Sequence, residues 1–346
     1  MVYKGIVRLS SRLICSRSLT RKMSSGRPVV YITRSDMPKC GVELLKKECD
    51  VRSWPKPSPV PREEFLKQVS SAAGIYCSLT DKIDKDILDS AGPNLKVVAT
   101  ISVGYDHIDV QECKKRGIKV GYTPDVLTDA TAELTLALLL STSRRLPEAQ
   151  HEARTGGWVS WAPTWMTGPG LAGATVGIVG FGRIGQAVAR RVKAFNTSRI
   201  LYWNRSVRSE AKEVDAIKVD FDDLLAESDF VICCAALVPE TKEIFNKSAF
   251  EKMKNSAVFV NTSRGGTVDQ NALIEALKNN TIRAAGLDVT TPEPLPLDSP
   301  LFKLKNCVVL PHIGSASIEA RNVMSELTAK NILAAIQGTE MPAELK

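Results

Sequence analysis

Residues 175–192 read "TVGIVGFGRIGQAVARRV", and no other stretch constrains the fold as tightly. An apolar, β-branched run ends in Gly180, Gly182 and Gly185, and a helical pattern starts among those glycines. In this G-x-G-x-x-G spacing the first glycine permits a tight turn after a strand. The second lets backbone approach a pyrophosphate, and the third lets helix and strand pack closely. The diphosphate would rest on free N–H groups at the positive end of the helix. Such spacing is weak evidence alone but specific between a strand and a helix, so the stretch predicts a dinucleotide site.

A strand–helix unit of this kind belongs to a parallel sheet, and the surrounding rhythm agrees. Short apolar runs at 29–33, 72–79, 95–102 and 118–122 alternate with the helical patterns "ELLKKECD", "REEFLKQVS", "DKDILDSAG" and "IDVQECKKRG". A long helix follows around 123–145, with Thr128 expected as its N-cap. A second series of strands is read at 175–180, 199–203, 229–235, 257–262, 284–289 and 307–310. The last helix, from residue 317 to 338, should cross back to the first unit. The fold class is therefore α/β, with two doubly wound parallel sheets (Rossmann- or flavodoxin-like) joined by two long crossover helices. The chain's 346 residues suit two domains better than one. We expect 26–126 plus 318–346 to bind substrate and 127–317 to bind the dinucleotide, after a tail at 1–25.

The net charge of +8 suggests nucleic acid until it is located. Lys4, Arg8, Arg12, Arg17, Arg21 and Lys22 supply six of the positive charges, and the remainder carries only +2. Nucleic-acid binding is not expected. The tail itself is Arg- and Ser-rich and free of acids, which fits a mitochondrial presequence. Met23 fits equally a second start that would leave a cytosolic form. The longest apolar segment, "ELTLALLLSTS", is too short to span a bilayer. Eight cysteines show no C-x-x-C and no metal-ligand spacing. Cys233 and Cys234 read as buried, reduced thiols.

The end of the second strand of the glycine unit indicates which dinucleotide is bound. An NAD site places Asp or Glu there for the ribose hydroxyls. This chain has Asn204, then Arg205, Ser206 and Arg208. A carboxylate would repel a 2′-phosphate, whereas guanidinium groups grip it. NADPH over NADH is the expectation.

Three further strand ends carry chemistry. "FVNTSRGGTVD" delivers Arg264, "GLDVTTPEPLP" carries Asp288 and Glu293, and "VVLPHIGSAS" carries His312. Doubly wound sheets place ligands at such carboxyl ends. With "SVGYDHID" at 102–109 and the glycine stretch, these motifs resemble the D-2-hydroxyacid dehydrogenases, and among them most the glyoxylate/hydroxypyruvate reductases. The resemblance runs from about residue 28 to the C-terminus and leaves the basic tail outside.

The resemblance implies reduction of a small 2-oxo acid, with Arg264 fixing the carboxylate and polarising the carbonyl. Arginine is charged at every working pH and binds carboxylates bidentately. His312 would donate the proton, since imidazole titrates near neutrality. Glu293 would hold its other ring nitrogen, setting the tautomer and favouring the protonated ring. Substrate contacts are implied for Val103, Gly104, Ser315 and Trp161 as well, with backbone N–H groups of the 102–104 turn nesting the carboxylate. Cofactor contacts are implied for Arg183, Ile184, Ala236, Thr262 and Gly314 beside the glycines and the 204–208 loop. Asp288 is either a partner of the nicotinamide carboxamide or a buried cap for a neighbouring turn. His107 is the one rival to His312, and Asp109 should cap the next helix. His151 is read as a bystander on a polar helix face.

The loop "GGWVSWAPTWMTGPG" holds Trp158, Trp161 and Trp165. Two of these are expected to staple the loop to its own domain, and the resemblance implies that Trp161 reaches a partner's active site in a homodimer. The alternatives are an NAD-dependent phosphoglycerate dehydrogenase and a dinucleotide-sensing transcriptional corepressor of the same fold. Asn204 in place of an acid argues against the first, and the Arg205 and Arg208 pair with the presequence-like tail argues against the second. Glyoxylate and hydroxypyruvate fit one carboxylate clamp, and the sequence leaves the preference between them open.

Overall fold

The computed structural model describes residues 26–346, so the tail expectation lies outside the described residues. The first sheet contains β1 (Val29–Ile32), β2 (Asp50–Ser53), β3 (Gly74–Cys77), β4 (Val97–Thr100) and β5 (Lys119–Gly121), with α1 (Lys39–Glu48), α2 (Arg62–Gln68), α3 (Lys85–Ala91) and α4 (Val110–Lys115) between them. Its order is β2-β1-β3-β4-β5 and every pairing is parallel. Next come α5 (Thr128–Ser143) and α6 (Leu146–Thr155).

The second sheet contains β6 (Thr175–Val179), β7 (Arg199–Trp203), β8 (Ile217–Lys218), β9 (Phe230–Cys233), β10 (Val258–Asn261), β11 (Ala284–Leu287) and β12 (Cys307–Val309). Its helices are α7 (Arg183–Lys193), α8 (Phe221–Glu227), α9 (Lys247–Lys252) and α10 (Gln270–Lys278), and α11 (Ile318–Gln337) follows β12. The order is β12-β11-β10-β9-β6-β7-β8, again all parallel. Strand order reverses between β6 and β9, and a reversal point opens a crevice at the carboxyl ends of a doubly wound sheet.

Central strands β3, β4, β6, β9, β10 and β11 are buried along their whole length, as unbroken apolar runs covered on both faces should be. The two strands absent from the sequence reading, β2 and β8, are mostly exposed edges and carry no such run. Thr128 is the first helical residue rather than the N-cap. Leu127 precedes it, and the Thr128 N–H is held by the Asp125 carbonyl, so no side chain caps α5. Asp109 does cap α4, accepting from Glu112 N at 2.9 Å. The long helix ends at Ser143 because Arg145 takes a left-handed conformation, φ +56°, and starts α6.

Helix α11 returns to the first sheet, where it packs on α1, β3 and β4. Tyr76 donates to Ser325 Oγ at 2.9 Å, and a Cβ on Gly41 would lie 2.3 Å from Ser325 O. Helix α5 packs on α7, β10 and β11. No helix among the described residues is long and apolar enough to cross a membrane.

Candidate active site

The three glycines meet the three demands of their spacing. Gly180 has φ +93°, where glycine alone is at ease, and a Cβ there would lie 2.5 Å from Ala235 N. Gly182, the residue before α7, has nothing within 4 Å of its Cβ position. A Cβ on Gly185 would meet Gly180 O at 2.2 Å. The turn is thus tight, open above and closely packed below, and it sits at the reversal point. A dinucleotide diphosphate fits this cradle.

Arg264 leaves the end of β10. Fully buried Asn261 shapes that turn: its amide donates to Arg264 O at 3.0 Å, and its Oδ1 accepts from Ser263 N at 3.0 Å and Ser263 Oγ at 2.8 Å. The Arg264 guanidinium then reaches across to the first unit. Its Nε donates to Asp106 Oδ1 at 3.1 Å, and a Cβ on Gly104 would come within 1.6 Å of its Nη2. Glycine at 104 lets the cation take this position, and a side chain there would push the guanidinium aside. Burial works against the charge of Asp106, but Arg264 outweighs it and holds the carboxyl below the usual aspartate range.

The same turn touches the glutamate loop, because a Cβ on Gly265 would lie 2.0 Å from Thr290 O. Glu293 Oε1 accepts from Thr290 N at 3.0 Å, and Oε2 meets His312 Nδ1 at 2.7 Å. Burial opposes the charge of Glu293. The His312 ring, the Thr290 N–H and the Arg264 cation outweigh it and hold the carboxyl below the usual glutamate range. His312 has φ +54°, a left-handed conformation that costs roughly 1–2 kcal/mol for a residue with a Cβ. The turn holds it there: its N–H donates to Asp288 O at 2.8 Å. Among the described residues its Nε2 has no hydrogen-bond partner. Arg264 and His312 each keep 23% of the side chain exposed, so a small molecule can reach both.

Residues 136–314 match the family described as D-isomer specific 2-hydroxyacid dehydrogenase, NAD binding domain. This chain belongs to that family. The chain is 53% identical over 326 residues to the human glyoxylate reductase/hydroxypyruvate reductase, covering 92% of this chain and 99% of that one. It is 48% identical to the glyoxylate reductase of Thermococcus kodakarensis, over 92% of this chain and 96% of the other. Among solved structures, the NADPH-dependent glyoxylate/hydroxypyruvate reductase of Sinorhizobium meliloti, in complex with NADP and malonate, superposes with a TM-score of 0.79 at 32% identity. That alignment covers 92% of this chain and 97% of the other.

The other expected positions of this dehydrogenase fall into place unevenly. Asn204 turns its Oδ1 to Phe181 N at 3.3 Å and its amide to Ser206 O at 3.0 Å, so it braces the glycine turn. Arg205, Ser206 and Arg208 are exposed beyond it, and among the described residues neither guanidinium forms an ion pair. Arg183, at the start of α7, pairs with Asp125 of the first unit. Ile184 packs against the apolar cores of both units. Ala236 is exposed and its carbonyl accepts from Thr241 Oγ1 at 2.6 Å. Thr262 Oγ1 lies 2.7 Å from Thr135 Oγ1 in α5.

Of the two roles open to Asp288, the structure displays the turn cap. Its oxygens accept from Ile313 N at 2.8 Å and Gly314 N at 2.7 Å, and it is buried. Burial pushes its carboxyl above the usual range although both N–H groups work the other way. The Ser315 carbonyl accepts from Arg321 Nε at 3.2 Å, and Val103 is half-buried against the first core.

Two expectations need correcting. None of the three loop tryptophans staples the loop to this chain: Trp158 is 63% exposed, Trp161 82% and Trp165 39%. Backbone anchors the loop instead, with Gly168 against Ser143 O so closely that a Cβ would clash. Cys234 is only half-buried, whereas Cys233 is buried as expected; the seven described cysteines are all free thiols, and among the described residues no side-chain cluster suits a metal ion. His151 is exposed on α6, as a bystander should be. His107 is no rival proton donor, because burial drives its pKa down to about 4 and leaves it neutral at physiological pH. Asn261 and Asp106 escaped the sequence reading. The first stands in "VNTSRGG" and the second in "GYDHID", beside residues that were read.

Proposed function

We propose that this dehydrogenase reduces glyoxylate and hydroxypyruvate to glycolate and D-glycerate, with NADPH preferred over NADH. One observation carries the reading: Arg264 of the second unit lies against Gly104 of the first, and its turn packs on Thr290, whose N–H holds the Glu293 that pairs with His312. The names of the relatives supply the substrates, and the D configuration comes from the family alone.

Arg264 and the N–H groups of the 102–104 turn bind the carboxylate of the 2-oxo acid. The guanidinium also polarises the C2 carbonyl, pre-organised by Asp106 so that little reorganisation is needed. A dinucleotide held at the Gly180, Gly182 and Gly185 turn would supply the hydride that C2 receives. His312 releases the Nε2 proton to the carbonyl oxygen as the alkoxide forms, and Glu293 stabilises the charged ring until then. Asp288 fixes the turn that holds His312. Ser315 lines the substrate side, and Ala236, Thr262 and Gly314 line the cofactor side.

The NADPH preference rests on Asn204 in place of an acid and on the unpaired Arg205 and Arg208. Each charge-assisted bond to a 2′-phosphate contributes about 1.5–3 kcal/mol. One such bond alone is a factor of about ten to a hundred, so replacing both arginines by alanine should lower the NADPH/NADH ratio of kcat/KM by at least about one to two orders of magnitude. An unchanged ratio refutes the assignment. The function itself is tested by oxidation of NADPH and NADH with glyoxylate, hydroxypyruvate, pyruvate and 3-phosphohydroxypyruvate. Turnover confined to the phosphorylated acid with NADH would point to a phosphoglycerate dehydrogenase instead.

The exposed Trp158, Val159 and Trp161 form an apolar edge of the kind that marks an interface, and we read it as a homodimer contact with Trp161 reaching the partner. Trp161→Ala should weaken the dimer in sedimentation and raise KM for the 2-oxo acid; a fully active wild-type monomer excludes it. The acid-free basic tail supports mitochondrial entry and Met23 a cytosolic form, which a reporter fused to residues 1–25 distinguishes.

A further inference from the structure

His107 remains unexplained by the mechanism: a half-buried imidazole that touches neither Arg264 nor His312 through a hydrogen bond. Its surroundings are nonetheless polar and ordered. Nε2 lies 3.0 Å from Thr100 Oγ1, Thr100 Oγ1 lies 2.7 Å from Ser102 Oγ, and Ser102 Oγ lies 2.6 Å from Gly104 O. Nδ1 is buried and has no partner.

The direction of each bond follows from the last one. A carbonyl can only accept, so Ser102 donates to Gly104 O. Ser102 has one hydroxyl proton, so Thr100 must donate to Ser102. Thr100 also has one proton, so the contact with His107 requires that Nε2 be the donor. The ring is therefore the Nε2–H tautomer, with a bare lone pair on Nδ1. In this tautomer the buried, unpartnered Nδ1 is a lone pair rather than a stranded N–H donor.

We propose that His107 is a positioning residue, heading a one-way hydrogen-bond chain through Thr100 and Ser102 that fixes the Gly104 peptide against the Arg264 guanidinium. The chain ends on the one residue whose lack of a side chain admits that cation. It thereby sets the geometry of the carboxylate clamp from behind, across two strand-end hydroxyls. Backbone bonds hold the imidazole itself, since the His107 carbonyl accepts from Ile83 N at 2.9 Å. The inference rests on the proposed role of Arg264 and the 102–104 turn in binding the 2-oxo acid.

The test compares His107→Leu, His107→Gln, Thr100→Val, Ser102→Ala and the double variant His107→Leu with Thr100→Val. Steady-state constants are read with whichever of the four 2-oxo acids the wild-type enzyme turns over best. A wrong substrate assignment therefore shows in the wild type and leaves this comparison standing. His107→Leu should raise KM for the 2-oxo acid by about tenfold, the upper range for one hydrogen bond, with a smaller change in kcat. The Kd for NADPH, followed by fluorescence, should not move. Glutamine carries an amide nitrogen near the Nε2 position, so His107→Gln should recover most of the loss. The double variant should be no worse than Thr100→Val alone, because one break already interrupts the chain. Wild-type KM in His107→Leu overturns the proposal, as do equal losses in the Leu and Gln variants or losses that multiply in the double variant. Should His107→Leu fail to fold, Ser102→Ala decides: it removes only the final link, and an unchanged KM there is equally fatal.

Discussion

His312→Asn lowers kcat for glyoxylate reduction by about 10²–10⁴-fold, the usual contribution of a general acid. Asparagine fits the same turn and is among the residues that best tolerate φ near +54°, so the main chain should keep its place. Its amide can still donate a hydrogen bond to the carbonyl oxygen but cannot release a proton to it. The loss should therefore fall on kcat, while NADPH affinity, which the proposed function assigns to the glycine turn and the 204–208 loop, should survive. Glu293→Gln should act in the same direction and more weakly, because the amide can still accept from Nδ1–H but carries no charge to stabilise the imidazolium. Steady-state kinetics with a fluorescence Kd for NADPH checks both. A fully active His312→Asn enzyme would remove His312 from the proton-donor role.

Arg264→Ala should cost at least about 10²–10³ in kcat/KM, the scale seen when one pre-organised donor to a developing oxyanion is removed. Two effects add to that figure. The substrate carboxylate loses its bidentate partner, and Asp106 loses the cation that holds its carboxyl below the usual range. The enzyme would then present a bare carboxylate to an anionic substrate. Arg264→Lys should recover only part of the loss, since one ammonium cannot meet Asp106, the Ser263 carbonyl and a carboxylate in fork geometry. The expected signature is a large rise in KM together with a fall in kcat. Activity of Arg264→Ala within tenfold of wild type would contradict it.

Much of this site is written in short local patterns, and the parts that are not share a cause. Gly180, Gly182 and Gly185 could be read because each answers a backbone demand within a few residues. Arg264, Glu293 and His312 could be placed at strand ends, although their convergence needed the family resemblance. What stayed hidden depends on burial or on contacts remote in sequence. His107 and His312 both stand in loops at strand ends, and only burial separates the neutral ring from the reachable one. Asp106 acquires meaning through an arginine 158 residues away. Strands β2 and β8 are polar edges without alternation to betray them. Two of the three tryptophans looked like staples because aromatic residues normally seek a core, yet all three are exposed on this chain.

The most direct measurement is a crystal structure of the enzyme with NADP and oxamate, an unreactive analogue of a 2-oxo acid. The account predicts the oxamate carboxylate on Arg264 and the 102–104 backbone, with its amide oxygen about 2.6–3.2 Å from His312 Nε2. An oxamate carboxylate bound away from Arg264, or an amide oxygen beyond the reach of His312, would contradict it.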